Sequence, residues 1–237
     1  MDQLLVALDV ETGARAMQLA TALRGVAGGF KVGNRLFTSE GPSLVRALVD
    51  EGARVFLDLK YHDIPNTVAQ AVEAAVHTGA WMINVHASGG SAMMRAAAHA
   101  ARDTSATLGR LSPLMVAVTV LTSMDQGALR AVGVERSVLD QVIALARLTE
   151  KAGLHGVVAS AQETSAIRQA CGPDFLIVTP GIRGASAGTE LNDQSRTMGP
   201  AEAIRAGASY IVVGRPIIAA TDPRKAAESI AAEIEKM

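Results

Sequence analysis

The chain of 237 residues has one cysteine, Cys171, and only 3% aromatic residues. A single cysteine excludes an intrachain disulfide and any metal site built from several cysteines, and it is typical of a reducing compartment. The segment around Cys171 resembles a helix end, which favours a buried thiol over a nucleophile. With so few aromatic rings the core must be aliphatic, and such a core favours helices packed closely on strands over an aromatic-rich β-sandwich.

Long apolar runs and an excess of one charge sign are also missing. No apolar stretch reaches the roughly 18 residues that a membrane span requires. The amino terminus has no basic segment and meets Asp9 too early for a signal peptide. The 22 basic and 23 acidic residues give a formal net charge of -1, which provides no global field for nucleic acid or an anionic membrane. We therefore expect a cytoplasmic protein with neither partner, in which local groups hold any bound anion.

Short runs rich in β-branched residues or leucine recur eight times, and a segment with helical spacing follows each run. The runs are "LLVALDV", "FKVG", "RVFLDLK", "WMINVHAS", "LMVAVTVL", "GVVAS", "FLIVTPG" and "SYIVVG". No linker rich in serine and proline divides the chain. Eight strand-then-helix units predict an α/β protein that closes into a (β/α)8 TIM barrel, as a single domain over residues 1–237.

The sixth and seventh predicted helices are short, and a long segment rich in glycine, serine and asparagine follows the seventh strand, over residues 181–199. Loops of this length inside a compact domain are commonly binding loops or lids. A tolerated insertion without a function is the alternative.

Charged residues close several of the apolar runs. In a barrel of this type the active site lies at the carboxyl ends of the strands. Asp9 ends the first run, Lys31 lies in the second, and Asp58 and Lys60 lie in the third. Side chains alternate along a strand, so Asp58 and Lys60 share one face and are predicted to point into the mouth of the barrel.

Each of these charges also has a structural explanation. Asp58 and Lys60 can form an ion pair, Asp63 can cap the helix that begins at Pro65, and Asp9 can bind loop amides. Together, however, two lysines and three carboxylates at one barrel mouth carry a desolvation cost of several kcal/mol, which favours a functional site.

A second candidate site follows the seventh and eighth strands, in "TPGIR" and "VVGRPI". Barrels often bind phosphate there, through a glycine amide, a helix amino terminus and an arginine. Gly214 and Arg215 fit this role, and a tight turn with a surface arginine is the alternative. The five histidines have no metal-ligand spacing, and His86 is expected to be a hydrogen-bonded core residue.

These motifs resemble the bacterial orotidine 5'-phosphate decarboxylases, in order from position 9 to position 215. The segments that carry the resemblance are "ALDV", "FKVG", "LDLKYHDIPNTV", "NVHASGG", "VLTS", "VTPGIR", "NDQSR" and "IVVGRPI". The D-x-K-x-x-D element is shared with sugar-phosphate aldolases and decarboxylases of the same superfamily. The resemblance implies that those relatives have a magnesium-binding acid where this chain has Lys31, so the lysine favours the metal-free pyrimidine enzyme.

The resemblance implies decarboxylation of orotidine 5'-monophosphate to uridine 5'-monophosphate in de novo pyrimidine biosynthesis, with no cofactor and no metal. It assigns Lys60 as the proton donor in a charged array with Lys31, Asp58 and Asp63. It also implies a homodimer with shared active sites, in which Asp63 and Thr67 reach the neighbouring subunit's site.

The resemblance further implies a set of substrate contacts. Asp9 and Lys31 hold ribose hydroxyls, Thr122 or Ser123 holds the pyrimidine edge, Arg183, Gln194, Gly214 and Arg215 hold the phosphate, and Ile64 and Pro180 are also among the substrate-binding residues. Two rival functions stay open. One is a magnesium-dependent 3-keto sugar-phosphate lyase on the same barrel, and the other is a non-catalytic barrel that binds a nucleotide.

Overall fold

Eight parallel strands form a closed barrel in which each strand pairs with the next and the last pairs with the first. The structure is a computed structural model, and it describes residues 2–182 and 198–235. The strands are β1 (Leu4–Ala7), β2 (Gly29–Gly33), β3 (Val55–Tyr61), β4 (Met82–His86), β5 (Leu114–Val118), β6 (Gly156–Val158), β7 (Leu176–Thr179) and β8 (Tyr210–Val213). The predicted barrel closure is confirmed.

Helices alternate with the strands and cover the outside of the barrel. They are α1 (Gly13–Ala22), α2 (Asn34–Asp50), α3 (Pro65–Val76), α4 (Gly90–Thr107), α5 (Gln126–Ala131), α6 (Val138–Lys151), α7 (Thr164–Cys171), α8 (Pro200–Arg205), α9 (Arg215–Ile218) and α10 (Pro223–Glu235). The helices after β6 and β7 are short, as predicted, whereas α5 and α9 are additional. Across the described parts of the chain, no helix is long and apolar enough to span a bilayer.

Helix α2 begins five residues earlier than its apolar spacing predicts. The spacing places the start at Ser39, whereas the helix starts at Asn34 and is interrupted at Gly41. Gly41 has φ 69° and ψ -170°, a conformation that glycine adopts without the steric penalty of a side chain. Pro42 then begins the second helical segment, where a missing N–H leaves no hydrogen bond unmade. The first helical segment lacks a clear apolar stripe, so the apolar spacing reveals only the second segment.

Alternation along the strands separates two apolar regions. Phe56 of β3 points into the barrel, while Leu57 and Leu59 on either side of Asp58 pack against the helices. The interior cluster is aliphatic apart from a few rings, as the composition requires. Its buried members are Leu5, Ala7, Phe56, Met82, Val116, Val118, Val158, Val178 and Val212.

The amino-terminal end of the barrel is closed by Trp81, Tyr210 and Arg54. The indole of Trp81 meets the ring of Tyr210 edge to face, with centroids 5.3 Å apart. The guanidinium of Arg54 lies 5.1 Å from the centroid of the Trp81 ring, in a cation–π contact. The polar end of the barrel is therefore the opposite one, at the carboxyl ends of the strands.

Arg168 of α7 connects two loops at the amino-terminal end of the barrel. Its Nη1 donates to the carbonyl oxygens of Gly172 at 2.7 Å and Phe175 at 2.7 Å. Its Nη2 donates to the carbonyl of Gly207 at 2.7 Å and to Ser209 Oγ at 3.3 Å. One guanidinium thus binds both of the loops that precede β7 and β8. Its planar, rigid arrangement of N–H donors suits several acceptors at once.

Replacing Arg168 by methionine should therefore destabilise the barrel. We expect a loss of about 2–3 kcal/mol in the free energy of unfolding, because hydrogen bonds from a charged donor are lost and partly buried carbonyls are left without them. Urea unfolding followed by circular dichroism measures this loss. Arg15→Met, on the exposed face of α1, is the matched control, with an expected effect within about 0.5 kcal/mol. Equal losses in the two variants would contradict a special role of Arg168.

Candidate active site

Asp58 and Lys60 lie at the carboxyl end of β3, and their side chains meet in the mouth of the barrel. Lys60 Nζ donates to Asp58 Oδ1 at 2.6 Å. Asp58 is only 8% exposed, whereas the side chain of Lys60 is 30% exposed. The ammonium therefore faces the opening of the barrel while the carboxylate lies beneath it.

Lys31 of β2 joins this pair to Asp9, which follows β1. Lys31 Nζ lies 3.0 Å from Asp9 Oδ1 and 3.5 Å from Asp58 Oδ2. Glycine at position 33 leaves room for this ammonium, because a Cβ there would lie 3.0 Å from Lys31 Nζ. The structure thus brings together four charged side chains from the ends of β1, β2 and β3, as predicted. They follow one another in the order Asp9, Lys31, Asp58, Lys60.

This charged array is electrically balanced, with two carboxylates and two ammonium groups. A buried carboxylate without partners would be strongly unfavourable, and Asp58 is stabilised by both lysines. An array of this kind can hold an ammonium beside a reacting atom in a site with little water. Among residues 2–182 and 198–235, no three His, Cys, Asp or Glu side chains are grouped so as to hold a metal ion.

The backbone at Lys60 departs from a regular strand. Its φ is 54°, the only positive value at a described residue other than glycine. The pairing of β3 with β4 also shifts, because Tyr61 lies four positions after Leu57 while its partner Val85 lies only two positions after Ile83, the partner of Leu57. Such a left-handed residue costs roughly 1–2 kcal/mol, which the surrounding structure must offset.

Asn84 of β4 is a member of this cluster that sequence reasoning missed. It is fully buried, its Nδ2 donates to Asp58 Oδ1 at 2.6 Å, and its Oδ1 accepts the Lys60 N–H at 2.8 Å. The alternation of side chains along β4 could have identified Asn84, because it places Asn84 on the same inward face as His86. A polar residue on the inward face of an apolar strand needs partners inside the barrel.

Asp63, Ile64 and Thr67 lie around the start of α3, and Asp63 takes no part in the ion pairs of the charged array. All three are exposed, and Ile64 has 66% of its surface exposed. Asp63 does not cap α3, because the N-cap residue is Ile64 and makes no side-chain cap. Instead, Asp63 Oδ1 accepts the N–H of Ile64 at 2.6 Å. Pro65 is the first residue of the helix, as predicted.

The other predicted substrate contacts lie on loops after β5, β7 and β8. Thr122 and Ser123 form a turn beyond β5, and Pro180 follows β7 directly. Gly214 follows β8 and is the N-cap of α9, which Arg215 begins. A Cβ at position 214 would lie 3.6 Å from Asp9 Oδ2, which places this turn beside the charged array. Arg183 and Gln194 lie outside the described residues.

His86 ends β4 beside the array, with its ring centroid 5.3 Å from that of His62. Burial lowers the pKa of His86 below its ordinary value of 6.5. The nearby His62 and Lys60 lower this pKa further, while Asp58 opposes the change. The thiol of Cys171 is half-buried, and burial raises its pKa, in agreement with a structural rather than a nucleophilic thiol.

The lowered pKa of His86 predicts a dependence of stability on pH. As the pH falls through about 6.5, the unfolded chain takes up a proton that folded His86 resists, so stability falls. We expect the urea midpoint to drop less for His86→Asn than for the unsubstituted protein between about pH 7.5 and about pH 5.5. His99→Asn, on the exposed face of α4, measures the effect of losing an imidazole elsewhere. A larger drop in His86→Asn would refute the assignment.

A closed (β/α)8 barrel with balanced charges at the carboxyl ends of its strands is the architecture of an enzyme that acts on a small molecule. Residues 2–230 match the model of the orotidine 5'-phosphate decarboxylase / HUMPS family. The chain belongs to this family, which confirms the resemblance predicted from its motifs.

Individual relatives agree with this assignment. The chain is 57% identical to the orotidine 5'-phosphate decarboxylase of Moorella thermoacetica, over 99% of this chain and 92% of that protein. It is 53% identical to that of Syntrophotalea carbinolica, over 98% of this chain and 94% of that protein. The crystal structure of orotidine 5'-phosphate decarboxylase from Lactobacillus acidophilus superposes with a TM-score of 0.86 at 36% identity, covering 98% of each chain.

Proposed function

We propose that this protein decarboxylates orotidine 5'-monophosphate to uridine 5'-monophosphate and carbon dioxide in pyrimidine biosynthesis, without a cofactor. The relatives named orotidine 5'-phosphate decarboxylase support this reaction. The observation that carries the proposal within this chain is the Lys60 ammonium, held 2.6 Å from a buried carboxylate at the mouth of the barrel.

The chemistry of this reaction requires such an ammonium. Loss of carbon dioxide from carbon 6 of the pyrimidine leaves an electron pair in an orbital that the ring delocalises poorly. A fixed positive charge beside that carbon stabilises the developing carbanion, most strongly where water is excluded. The same group then delivers a proton to the carbon. Lys60 therefore serves as both electrostatic stabiliser and proton donor, and no electron-sink cofactor is needed.

The neighbouring charges keep Lys60 in place. Asp58 accepts from its ammonium, and Lys31 in turn balances Asp58. Because each ion has a partner of opposite sign, the array can remain charged before the substrate enters and requires little rearrangement during the reaction. Asp9 and Lys31, at the edge of the array, are assigned to the ribose hydroxyls.

The phosphate is assigned to Gly214 and Arg215, where the backbone turns from β8 into α9, together with Arg183 and Gln194. A guanidinium and backbone N–H groups suit a phosphate dianion. This group lies far from the reacting carbon of the substrate, so its binding energy can position the pyrimidine. The pyrimidine edge is assigned to Thr122 or Ser123, with Ile64 and Pro180 as further contacts.

The magnesium-dependent lyase is less well supported than the decarboxylase. Lys31 Nζ lies between the carboxylates of Asp9 and Asp58, at 3.0 and 3.5 Å. These are the oxygens that a divalent cation at this place would need, and an ammonium already neutralises them. The residues present therefore do not fit a magnesium ion there. The non-catalytic barrel is also less well supported, because binding a nucleotide does not require a second ammonium, that of Lys60, directed at the opening.

The test is a spectrophotometric assay of orotidine 5'-monophosphate with protein treated with EDTA. We expect turnover without metal, and we expect Lys60→Ala to lose at least about a thousandfold in kcat, or roughly 4 kcal/mol of barrier. Lys225→Ala, on the exposed face of α10, is the control and should keep the full rate. Turnover of orotidine 5'-monophosphate that EDTA abolishes would contradict the metal-free mechanism, and near-normal turnover of Lys60→Ala would remove Lys60 from its role.

We also propose that the enzyme is a homodimer with shared active sites. Asp63, Ile64 and Thr67 form an exposed patch at the start of α3, where Ile64 leaves 66% of its surface open to a partner. Within the described part of the chain, the Asp63 carboxylate accepts from the adjacent backbone N–H of Ile64. A second copy of the chain is the occupant that the resemblance implies, with Asp63 and Thr67 reaching its site.

Mixing two inactive variants tests the shared sites. Lys60→Ala and Asp63→Ala are each defective, but a mixed dimer contains one site with both side chains intact. If subunits exchange freely, an equimolar mixture should recover about one quarter of the normal rate, since half of the dimers are mixed and each has one complete site. Mixing Lys60→Ala with the exposed control Lys225→Ala should give about half of the normal rate with or without exchange, which sets the rate scale, and native mass spectrometry shows whether mixed dimers have formed. No recovery in a mixture shown to contain mixed dimers would contradict shared sites.

A further inference from the structure

Asn84 lies in the middle of β4 between the apolar interior of the barrel and the charged array. It shares the inward face with Met82 and is fully buried. A primary amide at such a place must find hydrogen-bond partners inside the protein. Asn84 has two partners, and both belong to the array: Asp58 Oδ1 at 2.6 Å and the backbone N–H of Lys60 at 2.8 Å.

The chemistry of these partners fixes the orientation of the amide. The N–H of Lys60 can only donate, so the atom that faces it must be the carbonyl oxygen of Asn84. The NH₂ group is then directed at the Asp58 carboxylate, which accepts. Rotating the amide by half a turn would place donor against donor and acceptor against acceptor. Asn84 therefore has one favourable orientation in which both contacts are made.

The two hydrogen bonds of Asn84 reach both residues of the same ion pair, Asp58 and Lys60. Asn84 faces the shift in register between β3 and β4, because it lies between the paired residues Ile83 and Val85. Its oxygen receives the N–H of Lys60 at the residue whose backbone is left-handed. Its nitrogen donates to the same carboxylate oxygen that accepts from the Lys60 ammonium.

We propose that Asn84 is a positioning residue for decarboxylation. Its single amide sets both the direction in which the Lys60 side chain projects from β3 and the rotation of the Asp58 carboxylate. This inference rests on the proposed function. Asn84 acts through Lys60 and lies beneath it, so it does not touch the substrate. Its loss should lower kcat, whereas KM should change little because the phosphate contacts at Gly214 and Arg215 remain.

Two substitutions test this role. In Asn84→Ala both contacts are lost, and we expect kcat to fall at least about 30-fold while KM stays within about threefold. Asn84→Asp keeps the shape and the oxygen that faces the Lys60 N–H but replaces the donor by an acid. When ionised, the introduced carboxylate repels Asp58, and when protonated its hydroxyl donates to Asp58 as the amide did.

The pH profile of Asn84→Asp separates positioning from packing. The charged and titratable groups around position 84 are Asp58 and Lys60 of β3, Lys31 of β2 and His86 of β4. We expect the kcat of this variant, relative to the unsubstituted enzyme, to rise at least about tenfold from about pH 8 to about pH 6. The same ratio for Asn84→Ala should stay constant, because alanine has no proton to regain.

Thr119→Val is the matched control for the loss of a buried polar group in the barrel. Thr119 follows β5, is buried, and donates from Oγ1 to the Val158 carbonyl at 3.2 Å. This variant should keep its full kcat. If folded, unsubstituted protein fails to turn over orotidine 5'-monophosphate, the proposed function itself is wrong.

If the unsubstituted enzyme is active, the Asn84 variants decide the inference. Values of kcat within about threefold of normal in both variants would overturn it. Should Asn84→Ala fail to fold, the pH profile of Asn84→Asp decides alone, and a profile parallel to that of the unsubstituted enzyme would overturn the role of Asn84.

Discussion

The carboxylate of Asp58 is the group on which the arrangement of the barrel mouth depends. It is 8% exposed and receives Lys60 and Asn84 on one oxygen, with Lys31 near the other. A buried carboxylate is tolerated only when charges and donors surround it. Strands β2, β3 and β4 each contribute one or more of these groups, so the need to satisfy one anion fixes three neighbouring strands relative to one another.

The closed barrel makes this arrangement possible because it separates two environments along one axis. Aliphatic side chains fill the interior below the array, and Trp81 with Tyr210 closes the opposite end. Water is therefore kept from the lower side of Asp58, while the ammonium of Lys60 retains an opening above. An ammonium that is shielded from water below and accessible from above suits a reaction that develops negative charge on a small bound molecule.

The architecture and much of the charged array were predictable from sequence because both follow from period-two alternation and from where strands end. That reasoning placed Asp9, Lys31, Asp58 and Lys60 together. It missed the left-handed backbone of Lys60, since a register shift depends on pairing between strands. It also missed Asn84, whose bonds to Asp58 and Lys60 form at that shift, and Arg168, whose acceptors are mostly backbone carbonyls without a sequence signal. Whether Asp63 caps α3 was equally hidden, because capping and non-capping aspartates look alike before a proline.

The positive φ of Lys60 places local stability and chemistry in conflict at one position. Glycine would adopt this backbone without the cost of roughly 1–2 kcal/mol that a lysine meets there. A redesign that optimised folding free energy alone would therefore favour removing the ammonium on which the proposed reaction depends. Thermostabilised forms of this barrel should be sought among outer positions, with residue 60 held constant, because its side chain is retained against the preference of its own backbone.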